Sequence, residues 1–235
     1  MQSVFPIKAV IFDLDDTLFD RKAAQIKILG SFRIKYAELF EDIEDSMVAT
    51  AFFEADRLAD EHFQAGGDPQ YLRHNRFKFF LNMLSIEEDY AEEMTSYYND
   101  LYSQADSEMP GARETVNKLD SKYSLGVITN GATDTQYLKL ENLGLRDKFE
   151  AILISEEAGM QKPEPQIFWK AAEKLSCRPQ ECLYIGNSYN GDIIGAKHAD
   201  MRACWFNPNG AQILDRNIRP DYEIRKLTEL FNILK

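Results

Sequence analysis

Cysteine and histidine are scarce in this sequence, with three of each among 235 residues. The cysteines, Cys177, Cys182 and Cys204, are odd in number and form no Cys-x-x-Cys pair. This usage argues against a disulfide framework and against a zinc site. Reduced thiols in the cytoplasm are the simplest interpretation.

Long apolar runs and excess positive charge are also missing. The best apolar run, residues 9–12, stops at Asp13, far short of a membrane span. Residues 1–8 have neither the basic start nor the long apolar segment of a signal peptide. Lys and Arg number 27 against 39 Asp and Glu, a formal net charge of -12. We therefore expect a cytoplasmic protein that binds neither nucleic acid nor a membrane.

The acidic excess is concentrated in residues 19–109, which hold 19 Asp and Glu against nine Lys and Arg. Apolar residues recur there at helical spacing, and Asp68-Pro69 and a Ser85–Glu88 capping box are typical of helix starts. The pattern predicts four or five helices and no strand. We predict a helical domain at 19–109, inserted into a second domain made of 1–18 and 110–235.

After Pro110-Gly111 the pattern alternates between strands and helices. With 9–12 as the first strand, the predicted strands are 125–129, 151–155, 182–185 and 203–206. The predicted helices are 113–119, 133–143, 166–175, 192–199 and 227–234. This alternation predicts an α/β fold, a Rossmann-like doubly wound parallel sheet with helices on both faces. Ligands of such sheets bind at the carboxyl ends of the strands, which the helical insertion is expected to cover.

Three carboxylates crowd the end of the first predicted strand, in Asp13-Leu14-Asp15-Asp16-Thr17. Carboxylates repel one another and are costly to bury unpaired, so a cation or a shared proton must accompany them. Asp13 and Asp15 are two residues apart, which points both side chains to one side of an extended segment. That arrangement suits a nucleophile and a general acid/base beside a metal ion. The alternative is a strand followed by an Asp-rich turn, with Asp16-Thr17 as a helix cap.

Polar residues also follow the other predicted strands. Thr129-Asn130-Gly131 ends the second strand, and Lys162 lies in the loop after the third. Gly186-Asn187-Ser188 follows the fourth strand, with Asp192 shortly beyond. Each pattern alone occurs in turns and helix caps of many folds. Together they put polar groups at the ends of four strands, where a doubly wound sheet binds its ligand.

In these motifs the chain resembles the haloacid dehalogenase-like hydrolase superfamily. Asp13 to Thr17 corresponds to its first motif, Thr129 to the second, Lys162 to the third and residues 186–196 to the fourth. A helical insertion between the first two motifs is the superfamily's type 1 cap, which selects the substrate. Residues 128–131 and 161–168 look most like the small-metabolite phosphatases and pyrimidine 5′-nucleotidases.

The resemblance implies a Mg²⁺-dependent phosphatase that hydrolyses small phosphorylated metabolites. Asp13 would be the nucleophile that forms an aspartyl phosphate, and Asp15 the acid to the leaving group and then the base for water. The residues implied to be catalytic are Asp13, Asp15, Thr129 and Lys162. Those implied to bind the substrate are Asp13, Thr129, Asn130, Gly131 and Lys162. Those implied to bind Mg²⁺ are Asp13, Asp15, Asn187 and Asp192, an oxygen set that suits this hard ion.

Asn187 departs from the family pattern, which has an aspartate at this position as a direct metal ligand. The amide oxygen can coordinate Mg²⁺ but brings no charge, so we expect weaker binding of the ion, with Asp192 in the outer shell. Three explanations are open. The enzyme works with asparagine, the residue is an introduced substitution, or the chain is a catalytically weakened relative that binds phosphorylated ligands or partners.

Asp15 bears on the reaction class. The dehalogenase branch typically has no acid two residues after the nucleophile, because a halide leaves without a proton. An acid at this position favours phosphoryl transfer, and phosphomutase and dehalogenase activities stay as alternatives behind it. For substrate selection, the basic segment Arg73 to Lys78 and Arg21 are candidates. We favour a solvated helix face for the former, and a role in the helical core for Tyr97, Tyr98 and Tyr102.

Overall fold

The computed structural model describes residues 5–64, 69–212 and 218–234, without the side chains of residue 60 and of 62–74. The chain forms two compact units. One comprises residues 1–21 and 106–235, and the other comprises 22–105.

The larger unit contains a parallel sheet of six strands in the order β3-β2-β1-β4-β5-β6. The strands are β1 Ala9–Phe12, β2 Ser124–Thr129, β3 Ala151–Ile154, β4 Cys182–Gly186, β5 Arg202–Phe206 and β6 Tyr222–Ile224. β1 is central and its four side chains are fully buried, because both faces of the sheet are covered. The chain adds β2 and β3 on one side of β1 and β4 to β6 on the other, so strand order reverses at β1. The predicted doubly wound parallel sheet is confirmed.

Helices connect these strands. The α-helices of this unit after residue 106 are α5 Ala112–Leu119, α6 Thr133–Asn142, α7 Ser155–Ala158, α8 Pro165–Lys174, α9 Gly195–His198 and α10 Leu230–Ile233. Single 3₁₀ turns lie at Arg146–Lys148, Pro179–Glu181 and Leu227–Glu229. Most of the bounds lie within one residue of the predicted ones. The short helix α7 and strand β6 were not predicted.

The predicted helix 192–199 has an irregular start. A π-helical turn spans Tyr189–Ile194, and regular α-helix begins only at Gly195. The Ser188 side chain caps the turn by accepting a hydrogen bond from the Gly191 N–H. Single π turns inside helices are frequent at functional sites. The turn follows β4 directly and therefore lies at the carboxyl edge of the sheet.

The smaller unit is helical. Its α-helices are α1 Arg21–Lys35, α2 Asp45–Gln64, α3 Pro69–Met83 and α4 Ala91–Ser103, with 3₁₀ turns at Ala37–Phe40 and Glu88–Tyr90. α3 begins at Pro69 as predicted, while Asp68 lies outside the described residues. An aromatic core holds the unit together, and Tyr98 and Tyr102 belong to it as predicted, with ring centroids 5.2 Å apart.

The predicted capping box at Ser85 and Glu88 is wrong. Ser85 has a φ of 57°, and the next N–H bonds back to the Leu81 carbonyl, which is how a helix ends. Glu88 accepts a hydrogen bond from the Asn82 side chain. These residues therefore close α3, and α4 begins only at Ala91.

The Arg76 side chain is only 14% exposed, although its basic segment led us to expect a solvated helix face. Its guanidinium Nη2 lies 2.8 Å from Asp56 Oδ1 on α2, and its Cζ lies 4.7 Å from the Tyr98 ring centroid on α4. The Gln25 amide on α1 donates to the other oxygen of Asp56 over 2.8 Å. One buried network therefore links all four α-helices of the unit.

The rest of that basic segment is divided. Phe77 is fully buried, whereas Lys78 is exposed as expected. The side chains of Arg73 and His74 lie outside the described part of the chain. Among the described helices of the whole chain, none is long and apolar enough to cross a membrane.

Residues 18–20 and 107–109, the chain segments just before and just after the inserted helical segment, run side by side. The Asp20 N–H donates to the Ser107 carbonyl over 2.8 Å, and the Met109 N–H donates to the Leu18 carbonyl over 2.9 Å. Phe19 and Glu108 form an antiparallel bridge between them. The entry to and the exit from the inserted segment therefore form one short ladder.

Candidate active site

The carboxyl ends of β1, β2 and β4 and the loop after β3 bring the predicted polar residues together. Phe12, the last residue of β1, pairs with Val127 on β2 and with Ile185 on β4. Asp13 follows at once, and its N–H donates to the Ile185 carbonyl over 2.8 Å. The strand order thus places the first carboxylate at the edge where the sheet reverses direction.

Asp13 is held by a buried lysine. Lys162 Nζ lies 2.5 Å from Asp13 Oδ1, and Thr17 Oγ1 donates to Asp13 Oδ2 over 2.9 Å. Both Asp13 and Lys162 are buried, so this pair is shielded from bulk water. Thr17 therefore fixes a catalytic carboxylate candidate, and the α1 helix begins only at Arg21, which excludes Asp16-Thr17 as its cap.

Lys162 uses its remaining donors on a second buried group. Its Nζ lies 2.7 Å from Asp192 Oδ1 and 3.2 Å from the Tyr184 hydroxyl, which itself donates to Asp192 Oδ1 over 2.9 Å. The other oxygen of Asp192 accepts from the Ser188 N–H over 2.9 Å. An ammonium group has three donors, and all three of Lys162 are engaged. Asp192 thus orients Lys162 toward Asp13.

Gly186 is needed for this packing. A Cβ at residue 186 would lie 2.3 Å from both Cγ and Oδ2 of Asp192, far inside van der Waals contact. Asp192 has no exposed surface and cannot move aside. Glycine is therefore the residue that lets the π turn approach the end of β4.

Asp15 is held by a different lysine. Lys139 Nζ, on α6, lies 2.6 Å from Asp15 Oδ1 and 2.8 Å from Oδ2. Gln136 Nε2, one turn earlier on the same helix, donates to Asp15 Oδ2 over 2.9 Å. Lys139 and Gln136 are buried, and the Asp15 side chain is 21% exposed. The two aspartates of the first motif are therefore paired with separate lysines.

Residues 129–131 link the surroundings of Asp13 and Lys162 to those of Asp15 and Lys139. Gln136 Nε2 lies 3.0 Å from Thr129 Oγ1 and 2.8 Å from the Asn130 carbonyl, so the same amide approaches both Thr129 and Asp15. The Asn130 side chain bonds to the backbone N–H and carbonyl of Lys162. Gly131 has a φ of 146°, and a Cβ there would lie 2.5 Å from Gln136 Nε2. The second motif thus packs between Asp15 and Lys162.

The Thr17 hydroxyl lies between the side chains of Asn187 and Asp13. Thr17 Oγ1 is 3.3 Å from Asn187 Oδ1 and 2.9 Å from Asp13 Oδ2, so both oxygens lie within reach of one hydroxyl. The Trp205 indole N–H donates to the Asn187 carbonyl over 2.9 Å and anchors the loop. Among the described residues, no group of three or more His, Cys, Asp or Glu side chains has metal-binding geometry.

The two aspartates differ in their electrostatic surroundings. Burial raises the pKa of Asp13 to about 7, against the attraction of Lys162 and with a further rise from Asp192. Burial also acts to raise the pKa of Asp15, but the charges of Lys139 and Arg21 and the hydrogen bonds from Lys139 and Gln136 lower it overall. Burial lowers the pKa of Lys139, which the charge of Asp15 only partly offsets.

All the predicted site residues lie at one edge of the sheet. Lys162 contacts both Asp13 and Asp192. The Thr17 hydroxyl links Asn187 to Asp13, and the Gln136 amide links Asp15 to Thr129. Sequence reasoning missed Gln136, Lys139, Thr17 and Tyr184. Gln136 and Lys139 left one signal, a spacing of three on the helix that follows Thr129-Asn130-Gly131, which puts them on one helical face.

Comparisons with known proteins agree with this geometry. A model of the haloacid dehalogenase-like hydrolase family matches residues 7–200. Glyceraldehyde 3-phosphate phosphatase from Pyrococcus furiosus is 32% identical over 97% of this chain and 93% of its own. Pyrimidine 5′-nucleotidase YjjG from Escherichia coli is 28% identical over 96% of each chain. Among solved structures, the HAD-hydrolase YfnB from Bacillus subtilis, bound to magnesium, matches with a TM-score of 0.84. It is 29% identical, and the match covers 98% of this chain and 99% of that one.

Proposed function

The chain belongs to the haloacid dehalogenase-like hydrolase family, and we propose that it is a phosphatase of small phosphorylated metabolites. The observation that carries this proposal is the pair Asp13 and Asp15, each held by its own lysine at the reversal point of the sheet. Relatives named as phosphatases of glyceraldehyde 3-phosphate and of pyrimidine nucleotides support it.

Asp13 is the nucleophile of the proposed reaction. One of its carboxylate oxygens attacks the phosphorus atom, the bond from phosphorus to the leaving oxygen breaks, and an aspartyl phosphate forms. Lys162 stays beside Asp13 and neutralises charge there and on a phosphoryl oxygen. The Thr129 hydroxyl and the Asn130 N–H bind the other phosphoryl oxygens. The Gly131 N–H donates to Ser155 Oγ over 3.0 Å, so Gly131 shapes this loop rather than donating to the phosphoryl group.

Asp15 transfers the protons. Although burial acts to raise it, the charges of Lys139 and Arg21 lower the pKa of Asp15 in the free protein. Its proton for the first step therefore depends on the negative phosphoryl group, which raises that pKa when it binds beside Asp15. In the first step Asp15 gives this proton to the leaving oxygen, which departs as an alcohol. In the second step it takes a proton from water, whose oxygen attacks phosphorus and releases phosphate and the Asp13 carboxylate. The cycle ends with Asp15 protonated again, so the net reaction is hydrolysis of one phosphomonoester.

The residues present fit a Mg²⁺ ion with few charged ligands. Asp13 Oδ2 and Asn187 Oδ1 both lie close to the Thr17 hydroxyl and therefore close to each other. Carboxylate and amide oxygens are ligands that Mg²⁺ prefers. Asp192 gives its oxygens to Lys162, Tyr184 and the Ser188 N–H, so we assign it to the outer shell. When bound, the ion would neutralise phosphoryl charge. A structural relative that was solved bound to magnesium supports the choice of this ion.

Phosphate release from p-nitrophenyl phosphate and from a panel of sugar and nucleoside monophosphates tests the function. We expect turnover with Mg²⁺, a loss of at least about tenfold with EDTA, and recovery when Mg²⁺ is restored. Absence of turnover across the whole panel at saturating Mg²⁺ would instead favour a module that binds phosphorylated ligands, the reading that Asn187 keeps open.

Asn187→Asp should strengthen activation by Mg²⁺. The change adds a charged oxygen beside Asp13, and we expect the Mg²⁺ concentration for half-maximal rate to fall about tenfold or more. The measurement is a Mg²⁺ titration of initial rate at saturating substrate. Asn190→Asp makes the same chemical change at an exposed position of the adjacent π turn and should leave that concentration unaltered. If Asn187→Asp changes the Mg²⁺ dependence no more than Asn190→Asp does, Asn187 is not a metal ligand.

A further inference from the structure

Two residues of helix α6, Lys139 and Gln136, hold the side chain of Asp15, and we call this pair the cradle. Lys139 contacts both carboxylate oxygens, at 2.6 and 2.8 Å, and Gln136 donates to Oδ2 at 2.9 Å. Three contacts to two oxygens fix the position of the carboxyl group and the rotation of its plane. A carboxylate held by a single donor would remain free to rotate about its bond to Cβ.

The cradle is buried and is separate from the lysine of the third motif. Lys139 is 4% exposed and Gln136 is 2% exposed, although both residue types are normally at the surface. Lys139 Nζ also lies 5.3 Å from the Phe19 ring centroid, at the end of the first motif. Lys162, in contrast, is engaged with Asp13, Asp192 and Tyr184. Burying the charge of a lysine costs free energy, so we infer that Lys139 has a role beside Asp15. Lys162 cannot take over this role, because its donors are engaged elsewhere.

The geometry leaves one oxygen of Asp15 less occupied. A carboxylate offers about four lone-pair positions, two on each oxygen. Within the described part of the chain, side-chain donors occupy both positions of Oδ2, through Lys139 and Gln136, and one position of Oδ1, through Lys139. The remaining position on Oδ1 is therefore the one available for a transferable proton.

We propose that Lys139, assisted by Gln136, is the positioning residue for general acid catalysis, holding Asp15 so that Oδ1 delivers the proton to the leaving oxygen. This inference rests on the proposed phosphatase function. Gln136 also contacts Thr129 Oγ1, so the acid is placed relative to the residue that binds the phosphoryl group. Correct orientation of a reacting group accounts for a large part of enzymatic rate acceleration.

The test compares two leaving groups. An alkyl phosphate such as glycerol phosphate needs a proton on its departing oxygen, whereas p-nitrophenolate leaves as an anion. Lys139→Met removes the charged donor and keeps the chain length. We expect kcat/KM for glycerol phosphate to fall roughly 100-fold, and that for p-nitrophenyl phosphate to fall less than about tenfold. kcat/KM is the correct quantity, because it reports on steps up to formation of the aspartyl phosphate.

A double-mutant cycle separates positioning from a general structural role. If Lys139 acts through Asp15, then Lys139→Met in an Asp15→Asn background should change kcat/KM for glycerol phosphate by less than about twofold. Lys148→Met is the matched control, since Lys148 is a half-exposed lysine paired with Asp120, and it should leave both substrates unaffected. Lys139→Gln, which keeps a donor, replaces Lys139→Met in both measurements if the latter fails to fold.

The results have distinct meanings. Equal losses on both substrates, or full additivity with Asp15→Asn, would overturn the positioning role while leaving the phosphatase function intact. A wild-type protein that hydrolyses neither phosphate would overturn both the function and the role of Lys139. A selective loss on the alkyl phosphate that vanishes in the Asp15→Asn background supports the proposal.

Discussion

Asp13→Asn should reduce phosphate release by on the order of 10³-fold or more, because the neutral amide cannot attack phosphorus and form the aspartyl phosphate. The side chain keeps its shape, so the contact with Thr17 and the buried position are retained. Lys162 loses one anionic partner but keeps Asp192 at 2.7 Å, which should preserve the fold. The measurement is the initial rate on p-nitrophenyl phosphate with saturating Mg²⁺, with circular dichroism to verify folding.

The chain offers a matched control three residues further along. Asp16→Asn makes the same chemical change within the same motif, at a residue that we assign no catalytic role. Asp16 has a φ of 58°, a left-handed conformation that asparagine also adopts readily. We expect activity within a few-fold of wild type. Substantial turnover by folded Asp13→Asn would refute the aspartyl-phosphate mechanism.

Arg76→Met should destabilise the helical unit by about 3–5 kcal/mol. The change removes the positive charge that faces the buried Asp56 carboxylate at 2.8 Å, and it removes a cation from the Tyr98 ring. Methionine fills similar space, so the loss comes chiefly from an uncompensated buried charge. The measurement is equilibrium denaturation followed by far-ultraviolet circular dichroism, in which the four longest described α-helices, all in this unit, give most of the helical signal.

Two features make this experiment specific. Both tryptophans, Trp169 and Trp205, belong to the sheet-containing unit, so their fluorescence follows that unit independently of the helical one. Arg57→Met is the control, because Arg57 is an exposed neighbour of Asp56 that pairs with Glu54 and Glu61 on the helix surface. Its effect should be much smaller, as for other exposed ion pairs. If both variants shift the dichroism midpoint equally, the Asp56–Arg76 pair contributes no special stability.

The sequence was sufficient to locate the edge of the sheet where the site lies. Asp13, Thr129 and Asn187 each follow an apolar run, and parallel strands all present their carboxyl ends on one edge. A residue that ends a buried strand is therefore located by topology alone. The resemblance then supplied roles for these residues, which remain proposals until the variants above are measured.

Gln136 and Lys139 could not be predicted in the same way. Both are long polar side chains on a helix, and a lysine at such a position is usually solvated. Their burial depends on the distance between α6 and the end of β1, which no local pattern encodes. The same applies to Arg76, since only the packing of four helices determines whether that guanidinium meets Asp56 or water.

Shorter elements were missed for a different reason. Strand β6 has three residues and lacks an apolar run, so it depends on pairing with Phe206 and its neighbours on β5. The Ser85–Glu88 pair matches a helix-start motif, yet the left-handed backbone at Ser85 makes it a helix end. Local motifs are ambiguous where the backbone conformation of one residue decides their meaning.

The short ladder formed by residues 18–20 and 107–109 has a consequence for how this architecture can diversify. Because Asp20 and Ser107 are hydrogen-bonded neighbours, the helical segment leaves and rejoins the chain within one strand spacing, about 4.8 Å. Segments of quite different length could be spliced between these two points without stretching the residues that carry Asp13 and Asp15. Chimeras that exchange residues 22–105 between relatives should therefore fold, and their substrate profiles would test whether the exchanged helical segment selects the substrate.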